Sequence, residues 1–99
     1  MSGTAEQVSV DMTTDERAVM DGEDVALSAA ARVALETVAP NPGGVPAWWL
    51  TCSVDVAREL LAAAEAGAAR SDPAKSALFR SAARQVRFGL WKIEAGPAP

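Results

Sequence analysis

Residues 79–94 read FRSAARQVRFGLWKIE, and the fold turns on whether this stretch is one helix. At helical spacing Phe79, Ala82, Ala83, Val86, Leu90 and Ile93 gather on one side. Arg80, Arg84, Arg87 and Trp91 recur on another side, at intervals of four, three and four. The other reading starts a strand near Val86. It would set Val86, Phe88 and Leu90 on one face and Arg87, Trp91 and Ile93 on the other, with Gly89 between. We take the helix as the main reading and keep the strand over 86–94 as the alternative.

Working back from this stretch, Ser71-Asp72-Pro73 is a strong local start signal. Asp72 suits an N-cap, and Pro73 suits the first helical position, where its missing N–H costs nothing. A helix from Pro73 to about Ile93 follows, stopped by Gly96-Pro97. The preceding run VDVARELLAAAEAG carries Val56, Ala57, Leu60, Leu61 and Ala64 as an apolar stripe, with Ser53 or Thr51 as cap and Gly67 as its expected C-terminal residue. A connection of about six residues between the two helices predicts an antiparallel αα-hairpin.

AWWLTC (47–52) reads as an extended segment leading into that helix. Together with a strand at 86–94 it would make an α+β domain, the alternative to a mainly α fold. APNPGGVP (39–46) is a loop by composition, and its glycines lack the spacing and the Lys-Ser/Thr of a phosphate cradle. Earlier still, Leu27, Ala31, Ala34, Leu35 and Val38 predict a helix capped by Asp24 and ended by Pro40, with an Arg32–Glu36 pair on its outer side. Thr13 and Glu16 fit a capping box for a short helix punctuated by Asp21-Gly22. Residues 1–12 are read as a flexible acidic tail, with an edge strand through Val8, Val10 and Met12 as the lesser reading. The expected architecture is one small, mainly helical domain over 13–95.

Composition sets the limits on function. Of the 99 residues, 49% are hydrophobic, much of that alanine, so the core is thin and self-association as a homodimer is one way to add burial. The net charge of −4 is unevenly spread. Residues 1–24 hold seven acids against Arg17 alone, and residues 70–94 hold six bases against Asp72 and Glu94. Such a split favours an electrostatic partner. Arginine outnumbers lysine seven to two in an alanine-rich chain, which reads as a high-GC bacterial or phage genome.

No histidine and no tyrosine are present, and Cys52 is the single cysteine. The commonest general base and metal ligand are therefore missing, ordinary zinc sites are excluded, and an internal disulfide cannot form. Cys52 beside two tryptophans reads as a small buried hydrophobe. The acids Asp15, Glu16, Asp21, Glu23 and Asp24 fail the EF-hand pattern, because Gly22 at its turn position would put Arg17 and Val19 among the ligands. They read as a solvated acidic face. We expect no enzyme, no cofactor, no metal and no small-molecule substrate. No secretory or membrane-spanning pattern is visible, which leads to an expected cytoplasmic location.

What remains is surface. Trp48 and Trp49 are adjacent, so their rings point in different directions; the bland reading packs both on the alanine-rich helices, and the sharper one anchors one in the core and leaves the other exposed for a partner. Together with Arg80, Arg84, Arg87 and Trp91 they are the candidate partner-binding residues. The expected function is a non-enzymatic protein-binding module or regulator. The alternatives are a nucleic-acid binder using the arginines, and a phage-type inhibitor whose acidic head imitates nucleic-acid phosphates. The bland reading of the arginine line is a solvated helix face on which Arg87 covers Trp91.

Overall fold

The structure, a computed structural model, describes residues 7–22, 25–40 and 48–94. Within these, β1 (Gln7–Met12) leads into α1 (Thr14–Met20), then α2 (Ala29–Glu36), β2 (Ala39–Pro40), β3 (Trp48–Ser53), α3 (Val54–Arg70) and α4 (Pro73–Glu94). The three strands form an antiparallel sheet in the order β1-β3-β2. The fold is mainly α, as expected. Residues 1–6, the Glu23–Asp24 pair, most of the Pro/Gly loop with Ala47, and the Gly96-Pro97 stop lie outside the described residues.

Helices α3 and α4 are the frame. They meet as an antiparallel hairpin, with Ala68 facing Ser76, Gly67 facing Phe79 and Glu65 facing Arg87 in turn. The link is Ser71-Asp72 alone, shorter than the six residues expected, because α3 runs past Gly67 to Arg70. Gly67 does not end the helix. It is buried inside it, and a Cβ built there would lie 2.6 Å from the Phe79 ring. Glycine costs a helix interior about 1 kcal/mol relative to alanine. Seating Phe79, which is 2% exposed, offsets that cost, since a fully buried large apolar side chain contributes about 1.5–3 kcal/mol. Asp72 caps α4 as read, accepting the Lys75 N–H at 2.9 Å.

The strand alternative for 86–94 is overturned, because α4 continues unbroken to Glu94. Its buried residues Phe79, Ala82, Ala83, Val86 and Leu90 keep helical spacing to the end. Gly89 does not break the helix. There α4 crosses β1 so closely that an added Cβ would sit 2.7 Å from the Ser9 carbonyl oxygen.

The N-terminal tail is also corrected over residues 7–12. Val8, Val10 and Met12 are 0–1% exposed and form the inward face of β1, while Gln7, Ser9 and Asp11 alternate outward. Val8 pairs with Cys52, Val10 with Leu50 and Met12 with Trp48. Six residues of alternating polarity have no stability alone; β3 supplies their hydrogen bonds and α4 covers their apolar side. The extended reading of 47–52 holds for Trp48–Cys52, and Ser53 caps α3 by accepting the Val56 N–H at 3.2 Å. Ala39–Pro40, expected as loop, adds the short strand β2 on the other side of β3, a proline suiting an edge.

The capping box of α1 is present: Thr13 Oγ1 accepts the Glu16 N–H at 3.1 Å, and Glu16 Oε1 accepts the Thr13 N–H at 2.9 Å. The second expected helix starts later than read, with Ser28 rather than Asp24 as its N-cap. Ser28 is held from α3, donating its N–H to Glu59 Oε2 at 2.5 Å and its hydroxyl to Oε1 at 2.7 Å. These two bonds hold the Glu59 carboxyl below its usual pKa. Arg32 does not spend its guanidinium on Glu36. It bridges back to the Asp21 carboxylate at 3.2 Å and to the Gly22 and Val25 carbonyls, closing the turn between α1 and α2.

Candidate functional site

The candidate residues separate into two groups. Trp48 and Trp49 sit on β3, where alternation sends Trp48, Leu50 and Cys52 inward and Trp49 outward. Trp48 is half-buried at a joint. Its Nε1–H donates to Thr14 Oγ1 at 3.1 Å, and the Arg17 guanidinium lies over its ring at 5.4 Å. Arg17 Nε in turn donates to the Leu35 carbonyl at 2.8 Å, so one arginine ties α1, the end of α2 and β3 together. Trp49 is 45% exposed and stands opposite Asp11 and Ala39 on the outer face of the sheet.

Arg80, Arg84 and Arg87 line a groove between α3 and α4, with Glu65, Ala68 and Ala83 completing it. The groove encloses about 350 Å³. It exists because alanines at its floor leave space between long side chains. Its arginines are held differently. Arg80 Nη2 donates to Ser76 Oγ at 2.9 Å, and the buried Ser76 hydroxyl donates to the Ala68 carbonyl at 2.8 Å. Arg87 pairs with Glu65 at 2.7 Å, with both side chains more than half exposed. Such a surface pair contributes about 0–1 kcal/mol. Arg84 is exposed and takes no hydrogen-bond or ion-pair partner among the described residues.

Beyond Arg87 the helix surface becomes aromatic. Phe88 and Trp91 are 54% and 60% exposed and stack on each other, with ring centroids 5.9 Å apart and planes 16° from parallel. Lys92 Nζ stands 4.9 Å over the Phe88 ring. The expected Arg87 cover on Trp91 is replaced by these contacts, because Glu65 draws Arg87 toward α3. Among the described residues, no hydrogen bond, ion pair or ring contact joins Trp48 or Trp49 to this group.

Two members of the surface were missing from the sequence reading. Phe88 belonged there only to the strand alternative, although its spacing of four from Arg84 and three from Trp91 places it on the same helical side. Glu65 is the other; its partnership with Arg87 depends on the register of the hairpin.

The acidic cluster is divided. Asp15 and Asp21 are exposed, but Glu16 is 3% exposed. Besides Thr13, Glu16 accepts a hydrogen bond from the Ser81 hydroxyl, which fastens α1 to α4. The expectation of a solvated acidic face fails at Glu16 because the capping box turns its carboxylate inward. Among the described residues no group of three or more carboxylates or thiols is placed to hold a metal. Cys52 is buried, and burial pushes its thiol up to about 11, so it keeps its proton at neutral pH. A second cleft of about 290 Å³ lies between α1 and the start of α4, with Val19, Leu78 and Phe79 as its apolar lining and Asp15 and Lys75 as its charged residues. No helix among the described residues is long and apolar enough to cross a membrane.

No protein-family model matches the chain, and no curated protein or solved structure is significantly similar to it.

Proposed function

We propose that this chain is a non-enzymatic protein-binding module, acting in the cytoplasm through the outer side of α4 and the groove that α4 forms with α3. The observation that carries the reading is the stacked Phe88–Trp91 pair, more than half exposed and continuous along one helix with Arg84 and Arg87. Aromatic residues and arginine are the types enriched where proteins bind one another. Leaving two large rings in water has no benefit for the fold itself. Trp49 offers a second, separate apolar contact on the sheet, which a homodimer or a larger partner would cover.

The test is affinity capture from the native host with wild type, Trp91→Ala, Arg84→Glu and, as a comparison, Trp48→Ala. Loss of the same partners from the first two variants supports the reading, and identical partner sets in all samples overturn it. The nucleic-acid reading draws support from the three arginines in one groove. Glu65 inside that groove and the overall charge of −4 weigh against it. It calls for oligonucleotide binding that weakens steeply with salt. The reading as an acidic mimic is best tested with Asp11→Asn, Asp15→Asn and Asp21→Asn together. Deleting residues 1–24 would remove the core residues Val8, Val10, Met12 and Met20 and unfold the chain.

A further inference from the structure

We infer that the α3–α4 groove recognises an acidic peptide segment of a partner protein, with Glu65 occupying the place of one of the partner's carboxylates until it docks. This rests on the protein-binding reading and names the chemistry of the partner. Three guanidinium groups face a single carboxylate, leaving an excess of positive charge in a concave site. Arg87 already holds a carboxylate, at 2.7 Å. Arg84, between Arg80 and Arg87 in the sequence of the helix, has none among the described residues. An incoming carboxylate on Arg84 gains a charge-assisted hydrogen bond without breaking any existing one. A second can displace Glu65 from Arg87 at little cost, because that pair is exposed on both sides.

The dimensions favour a peptide over a nucleic-acid strand. Arg80 to Arg87 spans about 10 Å at 1.5 Å per helical residue. That matches roughly three residues of extended chain, whereas salt-dependent nucleic-acid binding accumulates over a longer phosphate track. Phe88 and Trp91 continue the site apolarly, so the segment that fits carries an apolar side chain next to its acids. Phe88 is already engaged by Trp91 and Lys92, which disfavours it as an open platform for a base. The chain's own acidic segment is committed elsewhere. Residues 7–22 are built into β1 and α1, which pack on other parts of α4 through Gly89 and Ser81. In a second copy residues 7–22 are built into the same strand and helix and offer no extended acidic segment, so the occupant we assign is a segment of a different protein.

The experiment is fluorescence anisotropy on the full chain with a labelled Glu-rich peptide containing a leucine. The same peptide with Gln for every Glu, and a single-stranded oligonucleotide of equal charge, serve as counter-probes. The Glu peptide is expected to bind and to weaken as salt rises. Arg84→Glu should weaken it about tenfold or more, by loss of a charge-assisted bond and addition of repulsion. Glu65→Gln should tighten it about threefold, by freeing Arg87 from a surface pair. A merely structural Glu65 would not produce that gain. Circular dichroism of both variants verifies the fold. Equal binding of the Gln peptide, no effect of Arg84→Glu, no gain with Glu65→Gln, or tighter binding of the oligonucleotide each overturns the assignment. If the Glu peptide fails while capture still depends on Arg84 and Trp91, the acidic chemistry is wrong and the protein-binding role stands.

Discussion

Helix α4 presents two flanks of opposite character. On one, Phe79, Ala82, Ala83, Val86 and Leu90 are buried, and Gly67 and Gly89 let neighbouring groups approach as near as van der Waals contact permits. On the other, Arg80, Arg84, Arg87, Phe88 and Trp91 stand in water around a groove or on a bare helix surface. Both flanks contain aromatic rings, so hydrophobicity alone does not separate them. What separates them is whether a second element supplies atoms opposite the ring. Phe79 meets the backbone of α3 at Gly67, whereas Trp91 stacks on Phe88, one turn away on its own helix, and stays 60% exposed.

The comparison predicts a graded series of effects. Phe79→Ala should be the most damaging, removing about 3–5 kcal/mol of stability, measured by urea denaturation. A loss under about 1 kcal/mol would mean that the packed flank is looser than the Gly67 contact implies. Gly89→Ala should come next. Alanine gains about 1 kcal/mol of helix propensity, but its Cβ collides with the Ser9 carbonyl, a backbone atom that cannot rotate away. Overpacking of this kind costs about 1–3 kcal/mol, so the melting temperature should fall, and a rise would show that β1 and α4 can separate there without penalty.

A smaller effect is expected at Glu59, which belongs to neither flank. Its carboxyl is held below its ordinary value by the Ser28 N–H and hydroxyl. A lowered folded-state pKa contributes stability that is present above the unfolded value and is lost as pH falls through the folded one. Stability measured downward from pH 6 should therefore decline less steeply in Glu59→Gln than in wild type, and parallel curves would refute the linkage. Smallest of all, Arg84→Glu and Trp91→Ala should change stability by no more than about 0.5 kcal/mol, although both should abolish partner capture. Marked destabilisation by either would reassign the open flank to the fold.

Legibility in the sequence followed the range of the interactions. The hairpin helices could be read because their apolar spacing and caps are local: Asp72-Pro73, Ser53 and the Thr13–Glu16 box each act within a single turn. β1 is legible only as the lesser reading, an edge strand behind the main reading of a tail, because its alternating Val8, Val10 and Met12 acquire meaning only when Cys52, Leu50 and Trp48 arrive from far along the chain. Gly67 looked like a helix end because glycine serves that role locally; only the Phe79 ring from the next helix explains it in mid-helix. At the candidate site, the line Arg80–Arg84–Arg87–Trp91 was legible from periodicity. Its division into a groove and an aromatic end, and the part played by Phe88, were not.

The sequence by itself determined that the chain is mainly helical, where most of its helices start, that one side of the last helix is apolar and another basic, and that histidine and thiol–histidine chemistry are absent. Tertiary structure alone decided which glycines are packing sites, that Glu16 turns inward to Ser81, that Trp48 is tied down by Arg17 while Trp49 is not, and that Glu65 shares the arginine groove. The physical reason is that helix formation is governed by residues three and four apart. The pairing of strands, the closeness of two backbones and the partner of a charged side chain depend on groups that only folding brings together.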